Sequence, residues 1–158
     1  MSLKFYDVDS DYINYLKTFD RQIPNMNYHT FNKFVCGVVL NINGFNYFAP
    51  VSHFIEQQRT NFLILDKGRP ISSIRFCFMF PVPPENLTLK DFSNEPQTYL
   101  DLVNAEIRYC KDNSDIIFKK AMQIYKIGIN RNHPAAYLCC DFKLLELKQE
   151  EFQQQRLQ

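Results

Sequence analysis

Residues 33 to 53 read KFVCGVVLNINGFNYFAPVSH, the strongest local structural signal in the chain. Two apolar runs meet at Asn43-Gly44. An Asn-Gly pair between such runs predicts a β-hairpin, because both central residues of a type I′ turn need positive φ. Proline cannot donate a hydrogen bond to a sheet, so we expect the second strand to stop at Pro50. Ser52 and His53 should then lie on the loop beyond that strand, facing solvent.

The expected register brings a lysine to the same place. Antiparallel pairing across a two-residue turn sets the start of the first strand beside the end of the second, so Lys33 should lie close to Ser52 and His53. An imidazole can give or take a proton near neutral pH. Together with an ammonium and a hydroxyl, it suits attack of a ribose 2′-hydroxyl on its own phosphate. Simpler interpretations are also open. Ser52 and His53 can be solvated or capping residues, and Lys33 can be an edge lysine that prevents aggregation.

The length and the cysteines point to one ordinary globular domain. A chain of 158 residues fits a single domain, residues 1–158, with a core that needs no disulfides or metals. Its five cysteines are odd in number, lie in apolar patterns and form no C-x-x-C pair, which predicts reduced core residues in a reducing cytoplasm. No apolar run approaches the ~20 residues that span a bilayer, so we expect no membrane association.

Several enzyme classes are excluded or disfavoured by missing motifs. With only four glycines, neither G-x-G-x-x-G nor a Walker A motif can be written, which excludes phosphate-loop nucleotide hydrolysis. The three histidines are far apart and lack a cysteine cluster, so we expect no metal site and no cofactor. A Ser-His-Asp hydrolase is disfavoured because no G-x-S-x-G elbow is present and adjacent residues rarely align hydroxyl and imidazole.

The charges leave room for a local nucleic-acid surface. A net charge of +1 argues against coating nucleic acid by bulk electrostatics, but the first half of the chain is rich in basic residues. Tyr28 and His29 stand among them and can stack on nucleotides or hydrogen-bond to them, although most aromatic residues are expected in the core. The basic residues concerned are Arg21, Lys33, Arg59, Lys67, Arg69 and Arg75.

The rest of the chain predicts further strands followed by helices. Besides the hairpin, strands are expected at 3–6, 62–65 and 71–80, separated by turns, which favours an antiparallel sheet or small barrel. A first helix should begin at Asp9-Ser10 and end near Thr18. Helical spacing then predicts two helices, or one interrupted around 110–113, over 98–126, and a last strand that starts at Tyr137 and leads into a charged helix. Residues 20–32 read as a long loop.

The order of these segments resembles the toxins of type III toxin-antitoxin systems, the ToxN/AbiQ family. The resemblance covers about residues 3 to 126, through KFYDVDSDYINYLKTFD, the hairpin, GRPISSIRFCFMFPVP, YLDLVNAEIRYC and AMQIYK, and YFAPVS and FMFPVP are its most specific marks. It implies an α+β fold with a compact, strongly bent antiparallel β-sheet, like the small barrel of the MazF/Kid/CcdB toxins, and packed helices. It also implies a metal-independent endoribonuclease that cuts single-stranded RNA to 2′,3′-cyclic phosphate and 5′-hydroxyl ends.

The partners implied by the resemblance are RNA molecules. Family members cleave cellular or phage mRNA, and a small repeat-derived pseudoknot RNA antitoxin, which they process, inhibits them in a cyclic protein-RNA complex. A non-catalytic RNA-binding module on the same basic and aromatic face is the alternative, and a plain interaction domain is the third.

Site residues carry over by position. Ser52 matches the hydroxyl residue after the family's A-P-hydrophobic sequence, and Lys33 matches the lysine before the first hairpin strand. Where the family often has a second Ser and then a Lys, this chain has His53, Phe54 and Ile55. We therefore assign the general acid or base role to His53, charge stabilisation to Lys33 and positioning of the 2′-hydroxyl or phosphate to Ser52. The expected RNA contacts are Tyr28, Arg21, His29, Lys67, Arg69 and Arg75.

Overall fold

The computed structural model describes residues 3–26 and 34–157 of the chain. This part contains seven strands and four helices. The strands are β1 (Lys4–Val8), β2 (Val35–Ile42), β3 (Phe45–Ser52), β4 (Asn61–Asp66), β5 (Arg69–Arg75), β6 (Phe80–Pro81) and β7 (Leu87–Leu89). The helices are α1 (Ser10–Lys17), α2 (Gln97–Asp112), α3 (Ser114–Ile129) and α4 (Phe142–Arg156).

The strands form one antiparallel sheet in the order β4-β5-β3-β2-β1-β7, with β6 paired to β3. The α+β class and the antiparallel sheet are confirmed. Within the described residues the edge strands β4 and β7 do not pair, so the sheet is open and does not close into a barrel. β3 lies at the centre, and the candidate site is at its end.

The predicted hairpin is present. Asn43 and Gly44 have φ of 54° and 82°, as a type I′ turn requires, and β2 and β3 pair from Ile42↔Phe45 at the turn to Val35↔Pro50.

Pro50 does not end the strand, because β3 changes partner next to it. On the side facing away from β2, β3 pairs with β6 up to Phe48 and with β5 from Val51 onward. Pro50 lies between the segments of β3 that pair with β6 and with β5. Its missing N–H therefore costs no interstrand hydrogen bond on that side. On the other side, Val51 N–H donates to the Phe34 carbonyl at 3.3 Å. The prediction that Ser52 lies on a loop beyond the strand is therefore wrong, since Ser52 is the last residue of β3.

Residues 71–80 are not one strand. β5 ends at Arg75, a 3₁₀ turn follows at Phe76–Phe78, and β6 then joins β3. Phe76 and Cys77 are consecutive and both buried in this turn. The 3₁₀ turn buries both side chains and redirects the chain into β6.

The helices cover the sheet with apolar faces of helical period. α3 buries Ile117, Ala121, Ile124 and Tyr125, and the predicted interruption between two helices lies at Asn113. α1 also begins and ends close to its predicted limits.

The strand predicted from Tyr137 is wrong. A 3₁₀ turn occupies Ala136–Leu138, and α4 begins at Phe142 after Asp141, whose side chain accepts a hydrogen bond from the backbone N–H of Leu144 at 3.3 Å. The buried residues that follow recur at helical spacing, which the apolar run Cys139-Cys140 had obscured.

A buried carboxylate ties β3 to the helices. The hydroxyls of Tyr47 on β3 and Tyr125 on α3 both donate to Oε2 of Glu146 on α4, at 2.6 and 2.7 Å. Burial raises the pKa of the Tyr47 hydroxyl well above its ordinary value, so it remains a donor. These hydrogen bonds fix β3, the strand that carries Ser52, to α3 and α4.

All five cysteines are buried and unpaired, which confirms the prediction of reduced core residues. No helix in residues 3–26 or 34–157 combines the length and the apolar character needed to cross a membrane.

Candidate active site

Ser52 and His53 stand at the end of the central strand. Ser52 is half-buried and pairs directly with Ser73 of β5, and His53 follows it as an exposed residue. In the described part of the chain the His53 side chain has no hydrogen bond or ion pair. The imidazole is therefore open to a ligand.

The two paired serines hold the backbone of Phe54. Ser52 Oγ accepts from the Phe54 N–H at 3.2 Å, and Ser73 Oγ donates to the Phe54 carbonyl at 2.6 Å. Both backbone groups of Phe54 are thereby fixed, so the chain just beyond His53 has a defined path. A hydroxyl has one donor and two acceptor lone pairs, so Ser52 can still donate to a ligand.

A buried asparagine shapes the loop that follows. Asn61 Nδ2 donates to the Glu56 carbonyl at 2.9 Å, and its Oδ1 accepts from the Gln58 backbone N–H at 2.8 Å. Asn61 is 1% exposed. The sequence shows residues 54–60 only as a polar stretch, whereas the fold organises them around this one side chain.

Arg75 is packed against the same loop. Its Cζ lies 4.7 Å from the ring centroid of Phe54 and 4.8 Å from that of Phe78, and Nη2 donates to Gln58 Oε1 at 3.3 Å. Its Nε is buried without a hydrogen-bond partner. The predicted RNA contact Arg75 thus connects the segment after Ser52 to the loop.

A cleft of about 520 Å³ opens beside Arg75. Among the described residues no acidic side chain lines it, and burial raises the pKa of the Cys77 thiol in its lining, so the thiol stays protonated. The lining residues are Gln22, Gln58, Arg59, Thr60, Arg75, Cys77, Phe78, Tyr137 and Leu138.

Two further depressions adjoin this cleft. One of about 430 Å³ contains the predicted RNA contact Arg21 with Lys17 and Arg131, together with the acidic residues Asp20 and Asp141, and Gln22 borders both it and the cleft. The other, of about 380 Å³, contains Lys120 and Lys126 of α3, and Arg59 borders both it and the cleft. Basic side chains thus line three neighbouring depressions, and three of them come from the C-terminal half of the chain, where sequence reasoning had proposed no site.

The other predicted site residues do not join this group. Lys67 and Arg69 are at the β4–β5 turn; Arg69 is four residues before Ser73, or about 14 Å along β5. Tyr28, His29 and Lys33 lie outside the described residues. Their roles stay predictions.

Among residues 3–26 and 34–157, no three His, Cys, Asp or Glu side chains come together in a group that could hold a metal ion. The donors of the candidate site are a hydroxyl, an imidazole, guanidinium groups and amides.

Comparison with known proteins shows what the chain resembles. The family model of the toxin ToxN of type III toxin-antitoxin systems matches residues 4–150. The endoribonuclease ToxN of Pectobacterium atrosepticum is 30% identical over 163 residues, covering 95% of this chain and 94% of that protein.

Solved structures share the fold over nearly the whole chain. A type III toxin that is selectively inhibited by a non-coding RNA pseudoknot superposes with a TM-score of 0.88 over 97% of this chain and 99% of its own, at 24% identity. AbiQ, a lactococcal anti-phage endoribonuclease of a type III system, gives 0.87 over 98% and 99%, at 25% identity. A protein of an antiviral system that is regulated by a processed non-coding RNA gives 0.83 over 94% and 98%, at 29% identity.

Proposed function

The chain belongs to the ToxN family of toxins of type III toxin-antitoxin systems, and we propose that it is an endoribonuclease whose active site is the Ser52-His53 end of β3. The observation that carries the assignment is the placement of these two residues. A half-buried hydroxyl with an open donor and an exposed imidazole adjoin each other at the end of the central strand, on a segment held by two serine hydrogen bonds.

The reaction that suits these groups is an internal transesterification of RNA. The ribose 2′-oxygen attacks the adjacent phosphorus, the bond from phosphorus to the 5′-oxygen breaks, and the products carry a 2′,3′-cyclic phosphate and a 5′-hydroxyl. One proton must leave the 2′-hydroxyl and one must reach the departing 5′-oxygen. His53 serves as general base or general acid in these transfers, because its imidazole is accessible and has no competing partner in the described residues.

Ser52 positions the reacting groups. Its hydroxyl is oriented by the bond from Phe54 N–H and donates its own hydrogen to the 2′-oxygen or a phosphate oxygen. Lys33 supplies the positive charge for the phosphorane oxygens. Phe34, just before β2, accepts with its carbonyl from the Val51 N–H. Phe34 is the covalent neighbour of Lys33, and Val51 is the residue before Ser52.

The partners proposed for this chain are RNA molecules in the cytoplasm. An RNA antitoxin follows from membership of a type III family, in line with the processed non-coding RNA of the 29% identical relative. We propose a repeat-derived pseudoknot RNA that joins the toxin in a closed protein-RNA complex. Cellular or phage mRNA is the proposed substrate, as AbiQ is an anti-phage endoribonuclease. Arg21 and Arg75 are the proposed contacts on the described surface.

Cleavage of RNA by the purified protein tests the proposal. The wild type should cut long single-stranded RNA in EDTA and leave 5′-hydroxyl ends that polynucleotide kinase labels without prior phosphatase treatment. Ser52→Ala should bind this RNA but cut it at least about 100-fold more slowly, and Ser93→Ala, at an exposed serine in the β7–α2 segment, should match the wild type. Equal cleavage by Ser52→Ala would remove the catalytic assignment, and RNA binding by the wild type with no cleavage would favour a binding module.

A further inference from the structure

We propose that the cleft between the loop after β3 and the α3–α4 connection is a nucleobase subsite, in which the ring of Tyr137 stacks on a base of the RNA next to the cleaved bond. The inference rests on the proposed function for the identity of the ligand as RNA. It assigns an RNA-binding role to a residue that no sequence pattern marked.

Tyr137 is an exposed aromatic side chain on a fixed support. It is 70% exposed, and among the described residues its ring contacts no other aromatic ring or cation. Its backbone is nevertheless held, because its carbonyl accepts from Gln22 Nε2 at 2.7 Å and Arg131 Nη1 donates to the preceding Ala136 carbonyl at 3.2 Å. An open aromatic face on a held backbone is suited to base stacking.

The remaining walls of the cleft supply charge and polar edges for a nucleotide. Arg59 and Arg75 are its cations, and Arg59 also borders the depression that contains Lys120 and Lys126, so phosphates on either side of the base would meet basic residues. Gln58 uses its Oε1 for Arg75 and has no partner for its Nε2 in the described residues, which leaves an amide donor for a base edge. A volume of about 520 Å³ falls in the range of small-ligand sites.

The cleft is linked to the candidate catalytic pair through Arg75 and Phe54. Arg75 lines it and lies two residues, about 7 Å, along β5 from Ser73, which is paired with Ser52. Arg75 also contacts the ring of Phe54, whose N–H binds Ser52 Oγ. A nucleotide in the cleft would therefore be a near neighbour of the nucleotide that is cut.

Binding of a non-cleavable RNA separates this inference from the catalytic proposal. Short single-stranded 2′-fluoro RNA lacks the attacking hydroxyl, so its affinity can be measured with the full chain whether or not the protein is a nuclease. Tyr137→Ala should weaken binding by about 10-fold, the effect of losing one base–aromatic stack, and Tyr137→Phe should bind like the wild type. Circular dichroism and thermal unfolding should show that both variants stay folded, since the side chain is exposed.

Abasic substitution identifies the stacked base. One position of the oligonucleotide should lose about 10-fold in affinity for the wild type when its base is removed, and the same removal should have little effect on Tyr137→Ala, because the two changes delete the same contact. Unchanged affinity of Tyr137→Ala, equal losses in Tyr137→Phe and Tyr137→Ala, or additive losses at every position would overturn the inference. Cleavage by the wild type is measured separately. If the wild type cleaves RNA and Tyr137→Ala binds and cleaves normally, the subsite is rejected and the nuclease assignment stays intact.

Discussion

The two hairpins of the sheet share a turn geometry and differ in their surroundings. Asn43-Gly44 joins β2 to β3 and Lys67-Gly68 joins β4 to β5, and all four residues have positive φ. Residues 47–51 of β3 are all buried, whereas in β5 burial is confined to residues 72–74. Local turn chemistry thus forms both hairpins, while their places at the centre and the edge of the sheet decide which one is enclosed.

The same contrast separates two serines that face each other across these hairpins. Ser52 on β3 and Ser73 on β5 are paired, and both hold the backbone of Phe54. Ser73 is fully buried and its hydroxyl hydrogen is used, whereas Ser52 is half-buried and keeps its hydrogen free. Identical side chains therefore take a structural role on one strand and a proposed catalytic role on the other.

The largest effect is expected at His53, which only the first hairpin presents. His53→Ala should lower kcat by about 10²- to 10⁴-fold with little change in KM, because a proton-transfer group is lost while RNA binding remains. Added imidazole should restore part of the rate. Stability should not change, since the side chain is exposed.

His53→Gln is the stricter version of that test, because glutamine hydrogen-bonds but cannot transfer a proton at neutral pH. It should be as slow as His53→Ala. A kcat within a few-fold of the wild type for either variant would remove the acid-base role.

The paired serines should give opposite phenotypes. Ser52→Ala should lose cleavage and change the free energy of unfolding by no more than about 1 kcal/mol, as for one partly exposed hydrogen bond. Ser73→Ala should lower the free energy of unfolding by about 1–3 kcal/mol, because the Phe54 carbonyl loses its buried donor, and should reduce cleavage less than Ser52→Ala does. Urea denaturation and single-turnover cleavage measure the two effects. Equal activity losses would mean that Ser52 acts only by holding Phe54.

A pH-dependent effect is expected where the second hairpin meets α2. Ser72 Oγ donates to Oε2 of the buried Glu106 at 2.6 Å, and burial raises the pKa of this carboxyl although the Ser72 bond lowers it. A carboxyl with a raised folded-state pKa stabilises the fold most below its unfolded-state pKa. That contribution is lost as the pH rises through the raised value.

Glu106→Gln should therefore remove part of the decline in stability towards higher pH, because the amide accepts from Ser72 and cannot ionise. Ser72→Ala is the matched variant and should make the decline steeper, since the bond that favours the charged form is gone. Urea denaturation from mildly acidic to mildly alkaline pH measures both slopes. A decline in Glu106→Gln as steep as that of the wild type would show that this carboxyl is not its source.

The smallest effect is expected at the turn of the second hairpin. Lys67→Asn removes a charge but keeps a residue that tolerates positive φ, so the hairpin should remain intact. If Lys67 contacts a phosphate, the slope of log affinity against log salt should fall by about one for long RNA. Short oligonucleotides that reach only the cleft should show no change. Unaltered salt dependence on long RNA would remove Lys67 from the binding surface.

Local signals account for the parts of the fold that were predicted. Asn43-Gly44 specifies its turn because few other residues tolerate positive φ there, and the break at Asn113 and the start of α1 follow from where the apolar residues of helical period end and begin. The errors have a common origin. Pro50 continues a strand, and Phe76 and Cys77 leave one, because long-range pairing with β5 and β6 overrides local propensity.

The candidate site divides in the same way. Ser52 and His53 could be found from sequence because they follow a recognisable hairpin and match a family position. Arg59 and Tyr137 could not, since they are 78 positions apart in the sequence and line one cleft only after the loop and the α3–α4 connection pack together.

The antiparallel hairpin, its turn, the helical segments and the serine-histidine pair could be read from the chain, because each depends on the preferences of neighbouring residues. Three features come from the packed fold alone: Ser52 ends a strand opposite Ser73, both serines hold Phe54, and Arg75, which contacts Phe54, lines one cleft with Arg59 and Tyr137. These features depend on contacts between residues far apart in the chain, which burial of the common core brings together and which no local pattern encodes.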